Sequence, residues 1–192
     1  MATFWRTATT GKILIGPTTN NVLCGTACPC PTSTCYAQAD VVIPTGWASS
    51  IDAVLPGTYT LNSAAVSGDL TCNSVALPDF PSSPAHNCRW FYCSGNICTG
   101  AGSDYAVGII GMADYNAGLD EWTFKVTIYF VNVTLAQYEG RILYVSAPGD
   151  ELSDAEFIAG NTATVTYNLD NGFGGCTDSF LTHPTTLTIE KT

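Results

Sequence analysis

The segment from Trp122 to Val133 alternates between apolar and polar side chains, and this pattern constrains the fold more than any other feature. Successive side chains of a strand point to opposite faces, so a period of two residues indicates a β-strand with one buried face. The large apolar side chains of this segment share one face: Trp122, Phe124, Val126, Ile128 and Phe130. The segment is therefore the clearest predicted strand of the chain.

Other short segments have the same strand character and are separated by Gly, Pro and Asn. They comprise residues 41–43, 57–61, 89–92, 105–112, 141–147, 162–169 and 185–189. Only Ser153 to Glu156 predicts a helix, because Ser and Glu at this spacing form a capping box, and Gly160 would end it. Many short strands at irregular spacing predict an all-β fold, an antiparallel β-sandwich or jelly roll.

Length and charge limit both the organisation and the partners. The 192 residues suffice for one domain with an attached segment, which we divide into an arm (1–36) and a β-sandwich domain (37–192). Six Lys and Arg residues and a net charge of -10 cannot neutralise a run of phosphates, which argues against nucleic acid and anionic membranes as partners. No segment approaches the roughly 20 apolar residues of a membrane span.

The nine cysteines indicate an oxidising environment. The N-terminal residues do not resemble a signal peptide, since Arg6 and Lys12 interrupt them and no apolar core follows. We therefore expect a protein made in a host cytoplasm without a signal peptide and later exposed outside the cell, as virion proteins are. An extracellular protein whose leader has been removed is the alternative, and metal-bound thiolates are another.

The arm begins with two apolar segments around a polar, Gly-containing turn, which predicts a small hairpin. Its apolar side chains are candidates for an interface, because an exposed apolar arm on a globular domain needs a partner. These candidate interface residues are Phe4, Trp5, Ile13 and Leu14. They predict attachment to a neighbouring subunit and homo-oligomerisation.

The base of the arm carries four cysteines, Cys24, Cys28, Cys30 and Cys35. Four thiolates so close together could bind zinc in a tetrahedron. The usual pair of C-x2-C knuckles is absent, however, and Pro29 stiffens the backbone between two of the cysteines. Disulfides are therefore the favoured interpretation, with a zinc site as the alternative.

A second group comprises Cys72, Cys88, Cys93 and Cys98. Five-residue spacing places Cys88 and Cys93 on opposite faces of a strand, so a bridge between these two would need a bulge. We predict that Cys72 pairs with one of them and that another pairs with Cys98 across the turn at 94–96. Cys176 could close onto any of these sites.

Acidic loops offer a candidate calcium site. Asp114, Asn116 and Asp120 present oxygen atoms at alternating positions around Gly118, and calcium prefers carboxylate and amide oxygens on turning loops. No twelve-residue EF-hand loop is present. Calcium is therefore a secondary expectation, and no cofactor is predicted as essential.

Signals for catalysis are sparse. His86, between Pro84 and Cys88, and His183, just before Pro184, lie in predicted loops and predict surface imidazoles, and no G-x-S-x-G motif is present. Paired carboxylates could hydrolyse glycosides, but nothing in the sequence fixes their separation. The candidates for that reaction are Asp120, Glu121, Asp150 and Glu151. We predict a protein that is not an enzyme.

Tryptophans divide into core and surface candidates. Trp90 and Trp122 sit in strands and predict core packing, whereas Trp47 lies in a Gly-containing loop and could line a sugar-binding platform. The sequon at Asn132 lies within a predicted strand and matters only in a eukaryotic secretory pathway.

Several motifs resemble small Cys-rich structural proteins found in bacteriophage and prophage-like regions. They are Phe4 to Ile15 (FWRTATTGKILI), Leu23-Cys24, Cys28-Pro29-Cys30, Gly57 to Leu61 (GTYTL) and Cys88-Arg89-Trp90. The resemblance implies a structural role in the virion, in capsid decoration or in the tail. It carries over no catalytic or binding residues.

Together these observations predict a non-enzymatic virion structural protein, attached to other virion proteins by its N-terminal arm and stabilised by disulfides. The alternative, from a different functional class, is a secreted or surface carbohydrate-binding β-sandwich module. That module would use Trp47, with calcium as a cofactor and a cell-surface glycan as ligand.

Overall fold

A computed structural model describes residues 35–45, 56–78, 86–95, 104–168 and 185–192, together with the backbone of three short strands outside these ranges. The elements in chain order are β1 (Phe4–Arg6), β2 (Ile13–Ile15), β3 (Gln38–Ile43), β4 (Gly57–Ser63), β5 (Leu70–Cys72), β6 (Val75–Leu77), β7 (Cys88–Cys93), β8 (Ile97–Cys98), β9 (Asp104–Asn116), β10 (Glu121–Asn132), β11 (Gln137–Val145), α1 (Asp154–Ala159), β12 (Ala163–Tyr167) and β13 (Thr186–Lys191).

Eight of the strands form a closed antiparallel barrel. Its strand order is β10-β11-β12-β13-β3-β4-β7-β9, and β9 pairs with β10 to complete the ring. The short β8 also pairs with β9, beyond the residues that pair with β7. The predicted all-β antiparallel fold is confirmed, but the sheet closes on itself and is not clearly divided into the two sheets of a sandwich or jelly roll.

Neighbouring strands of the ring are paired over very different lengths. β9 and β10 pair along their length, from Tyr105 opposite Asn132 to Asn116 opposite Glu121. The β4–β7 and β11–β12 junctions have two residue pairs each. An irregularity of register between Phe130 and Val131 interrupts the pairing of β10 with β11. The barrel therefore consists of two four-stranded groups joined by short junctions.

The interior of the barrel is filled by large apolar side chains. Trp90 and Trp122 are fully buried, which confirms their predicted place in the core. The alternating face of β10, from Trp122 to Phe130, lies in this same cluster, as its period predicts. An eight-stranded barrel is just wide enough for side chains to fill it. This interior is packed with protein atoms.

A second, smaller hydrophobic core lies outside the barrel, on the outward faces of β9 and β10. Its buried residues are Cys72, Val75, Leu77, Ala106, Ile110, Met112, Tyr129 and Val131. The segment 64–78, which contains the β5–β6 hairpin and which we call the outer flap, covers β9 and β10 here. Leu77 packs so closely on Gly108 that a Cβ built at Gly108 would lie 2.4 Å from Leu77 Cδ1.

The helix α1 lies against one end of the barrel, at the N-terminal end of β10. Its capping box is present: the Ser153 side chain accepts from the Glu156 backbone N–H, and the Glu156 carboxylate accepts from Ser153 N–H at 2.8 Å. Gly160 ends the helix in the left-handed conformation, with φ of 80°. The predicted short helix and both of its boundaries are confirmed.

Candidate interaction site at the arm and the helix end of the barrel

The arm contains the predicted hairpin. β1 and β2 pair antiparallel, with Phe4 opposite Ile15, Trp5 opposite Leu14 and Arg6 opposite Ile13. Among the pairings that the structure describes, these two strands pair only with each other. An isolated two-stranded hairpin is marginally stable in water, so it needs a surface to pack against. The interface role of Phe4, Trp5, Ile13 and Leu14 stays a prediction, since their side chains lie outside the described part.

A disulfide joins the base of the arm to the wall of the barrel. Cys35 bonds to Cys88, the first residue of β7, with a Cα–Cα distance of 5.5 Å. Cys35 is therefore a disulfide partner, as the favoured interpretation has it, and this excludes it from the alternative four-cysteine zinc set. Its other members, Cys24, Cys28 and Cys30, lie outside the described residues. The bridge anchors the arm to strand β7 of the barrel.

Next to this bridge, stacked aromatic rings close the helix end of the barrel. Phe157 of α1 stacks on Trp122 with ring centroids 4.1 Å apart and on Tyr36 at 4.7 Å. Lys191 Nζ lies 4.9 Å from the centroid of the Tyr36 ring. Burial raises the pKa of the Tyr36 hydroxyl, and the nearby Asp154 carboxylate adds to this effect. This end of the barrel is therefore covered by packed aromatic rings.

Carboxylates surround the same end on its outer surface. Residues Trp122 and Leu152 form an isolated antiparallel bridge, which brings the β9–β10 turn beside the segment leading into α1. The acidic side chains of these two segments are Asp120, Glu121, Asp150, Glu151, Asp154 and Glu156. Asp154 accepts a hydrogen bond from Trp122 Nε1 at 3.0 Å, and hydrogen bonds from Ser153 lower the pKa of Glu156. We call this surface, together with the exposed Leu119 and Ile158, the acidic end.

The predicted calcium ligands are occupied by other contacts. Asp114 lies 2.9 Å from His86 Nδ1 and accepts from Lys125 Nζ at 3.2 Å. Asn116 Oδ1 accepts from the Gly118 backbone N–H at 3.0 Å, and Asp120 accepts from the Tyr115 hydroxyl at 2.6 Å. Asp114, Asn116 and Asp120 each contact different groups in this structure. The calcium site is therefore supported only by the spacing of these residues in the sequence.

His86 is buried, which overturns the prediction of a surface imidazole. The residue is 4% exposed and its side chain contacts the Asp114 carboxylate. Its backbone N–H donates to the Val66 carbonyl of the outer flap at 2.9 Å. Asp114 and Lys125 lie on the neighbouring strands β9 and β10, so local sequence around His86 could not reveal this partner. His183 lies outside the described residues.

A second disulfide holds the outer flap. Cys72 bonds to Cys93, the last residue of β7, with a Cα–Cα distance of 5.5 Å. The predicted pairing of Cys72 with Cys88 or Cys93 is confirmed. Because Cys88 and Cys93 both have other partners, the predicted bridge from one of them to Cys98 is wrong. As expected from their spacing, Cys88 faces the interior and Cys93 the outer core.

The opposite end of the barrel carries a polar network. Asn132 Nδ2 donates to Glu139 at 2.6 Å, and the Tyr105 hydroxyl donates to the same carboxylate at 3.1 Å. Asn132 is 1% exposed, so this sequon asparagine is inaccessible to modifying enzymes in the folded chain. Trp47 and Cys176 lie outside the described residues, and the sugar platform remains a prediction.

The described residues contain little that resembles a catalytic or cofactor site. A cavity of about 10 Å³ between Tyr36, Phe157 and Lys191 has room for one water molecule at most. In the described ranges, no group of three or more His, Cys, Asp and Glu side chains could hold a metal ion. Of the hydrolase candidates, Asp120 contacts Tyr115, and Glu151 accepts from the Gly149 backbone N–H at 2.6 Å.

Within the same ranges, no helix is long and apolar enough to cross a membrane. Comparison with known proteins returns no match: no family model, no curated protein and no solved structure is similar to this chain. The functional conclusion therefore depends on the sequence and the geometry described above.

Proposed function

We propose that this chain is a non-enzymatic structural protein of a virion, in which the N-terminal arm attaches a disulfide-stabilised barrel to a neighbouring subunit. The observation that carries this proposal is the arm hairpin. It pairs only with itself among the described strands, yet a bond between Cys35 and Cys88 ties the base of the arm to strand β7 of the barrel. Such a segment gains stability from contact with another surface.

The character of the barrel supports a structural role. Its interior is filled by aromatic and aliphatic side chains, and two disulfides cross-link β7 to segments on either side of the wall. A protein that only has to keep its shape gains from these features, since each disulfide restricts the unfolded chain. The virion assignment, in capsid decoration or in the tail, depends on the resemblance of the arm and strand motifs.

Deletion of residues 2–16 tests the proposal. We expect the shortened chain to keep the melting temperature of the barrel but to lose self-association and incorporation into phage particles made from the genome that encodes it. Sedimentation of the purified chain and mass spectrometry of purified particles measure the two effects. Incorporation at the level of the full chain would overturn the proposal.

A pair of substitutions tests whether assembly needs the apolar side chains of the hairpin or only the presence of the segment. Trp5→Ser with Leu14→Ser removes two residues that lie opposite each other in the hairpin. Thr9→Ala with Thr10→Ala, in the turn region of the same arm, is the matched control. Only the first pair should weaken assembly, because it removes apolar surface from the candidate interface.

A further inference from the structure

The charges of this chain are divided between its two parts. The arm, residues 1–36, contains Arg6 and Lys12 and no Asp or Glu, so its formal charge is +2. All sixteen acidic residues and the remaining four cations fall in 37–192, which leaves -12 for the barrel domain. An arm of this sign is attracted to the barrel surface, and most strongly where carboxylates are concentrated.

The acidic end is the part of the described surface that best fits such an arm. It combines the carboxylates of the β9–β10 turn and of the segment 150–156 with two of the exposed large apolar side chains, Leu119 at 65% and Ile158 at 49%. The arm offers the complementary set, two cations among Phe4, Trp5, Ile13 and Leu14. The acidic end and the arm therefore carry opposite charges, and each of them also presents apolar side chains.

Of the four cations in the barrel domain, only Lys191 is placed at this end by the contacts described, and six carboxylates outnumber it, so the surface stays acidic. Lys125 contacts Asp114, and Lys191 lies over the Tyr36 ring. Arg89 is buried and donates to the backbone carbonyls of Ala65 and Gly68 in the outer flap. Arg141 lies within β11, opposite Tyr129 of β10.

We propose that the acidic end is the docking surface for the arm of a second copy of this chain. The inference rests on the proposed function, because it names the partner surface for the arm. Nineteen residues, 16–34, separate the hairpin from Cys35. An extended segment of that length spans up to roughly 60 Å, which is enough to reach a neighbouring barrel. Two copies that exchange arms reciprocally form a closed two-fold dimer, whereas an arm passed from each copy to the next builds a ring or a filament.

Charge reversal tests the surface. Glu121→Lys with Asp150→Lys changes two acidic-end carboxylates and leaves the capping box and the Trp122–Asp154 hydrogen bond intact. Asp69→Lys with Asp104→Lys makes the same change of charge outside the six carboxylates of the acidic end and is the matched control. We expect the first variant to weaken self-association about tenfold at low salt, through loss of attraction, and the control to weaken it much less.

The reciprocal change supplies the decisive measurement. Arg6→Glu with Lys12→Glu in the arm should weaken self-association similarly, and a mixture of this variant with the acidic-end variant should associate again. Sedimentation velocity over a concentration series, with circular dichroism melts of each variant, measures both. Equal weakening by the acidic-end pair and the control pair would overturn the docking surface, as would a mixture that stays dissociated.

The outcome separates this inference from the proposed function. If deletion of 2–16 abolishes association but charge reversal at the acidic end does not weaken it, the arm attaches elsewhere and the docking surface is wrong. If the deletion leaves association unchanged, the arm hypothesis itself fails. If charge reversal changes the melting temperature of a chain that is monomeric at every concentration, the arm binds its own barrel, which overturns the second-copy assignment.

Discussion

Two hydrophobic cores lie on opposite sides of one wall of the barrel, and they differ in how they are enclosed. The interior core is surrounded by eight strands and closed at one end by Phe157 of α1. The outer core lies under a single segment, the outer flap. That flap is fixed by the Cys72–Cys93 bond, by the Tyr129 hydroxyl donating to the Pro78 carbonyl, and by Arg89.

Because of this difference, the two cores require different amounts of structure to open. Opening the interior requires breaking the ring of strands, which is a global event. Opening the outer core requires only that the flap lift away from β9 and β10. Segments with few buried contacts open at lower free energy than the global unfolding of a domain. The interior thus sets the overall stability, and the flap is a candidate for independent local opening.

The largest effect should come from Phe157→Ala. This substitution leaves a hole between Trp122, Tyr36 and Phe124, and Phe→Ala changes in cores cost about 3–5 kcal/mol. Urea denaturation followed by circular dichroism measures the loss. The neighbouring Ile158→Ala, at an exposed position, should change stability by no more than about 0.5 kcal/mol. Equal effects of the two would mean that α1 does not close the barrel.

Loss of each disulfide should lower the free energy of unfolding by a different amount and should affect a different part of the chain. Replacing Cys35 and Cys88 by Ala opens a loop with a sequence separation of 53 and should cost about 4 kcal/mol of global stability. Replacing Cys72 and Cys93, at a separation of 21, should cost about 3 kcal/mol or less. Hydrogen exchange should then accelerate in residues 64–78 and not in β3 or β13. Uniform acceleration across the barrel would show that the two cores open together.

The smallest loss of stability should come from Gly→Ala substitutions on the two faces of β9. Gly108→Ala places a Cβ against Leu77 on the outer side, whereas Gly111→Ala places one against Ile189 and Leu61 on the inner side. Overpacking of this kind costs about 1–3 kcal/mol. Adding Leu77→Ala should suppress the effect of Gly108→Ala and leave that of Gly111→Ala unchanged, as thermal melts would show. Failure of this selective rescue would contradict the packing of the flap on Gly108.

Local signals in the sequence predicted the local structure. The alternation from Trp122 to Phe130 identified the inward face of β10, and the Ser153–Glu156 capping box with Gly160 identified α1 and its ends. The five-residue spacing of Cys88 and Cys93 indicated that the two face opposite sides of a strand. Each of these inferences depends only on residues that are near one another in the chain.

Non-local features could not be predicted in the same way. Closure of the ring depends on β7 pairing with β9 and β13 pairing with β3, and no short motif specifies such partners. The burial of His86 depends on Asp114, which is 28 residues later in the chain. The outer core did leave a signal: residues 106–113 are apolar without alternation, which is typical of a strand buried on both faces.

The position of the two disulfides at opposite ends and on opposite faces of β7 bears on the order of folding and oxidation. Cys88 meets Cys35 on the side of the interior, and Cys93 meets Cys72 on the side of the flap. Each sulfur reaches its partner once β7 occupies its place in the sheet, with the interior packed behind it and the flap laid over it. Both bonds therefore require β7 to hold this register, since a shift by one residue would exchange the faces of Cys88 and Cys93 and separate each sulfur from its partner.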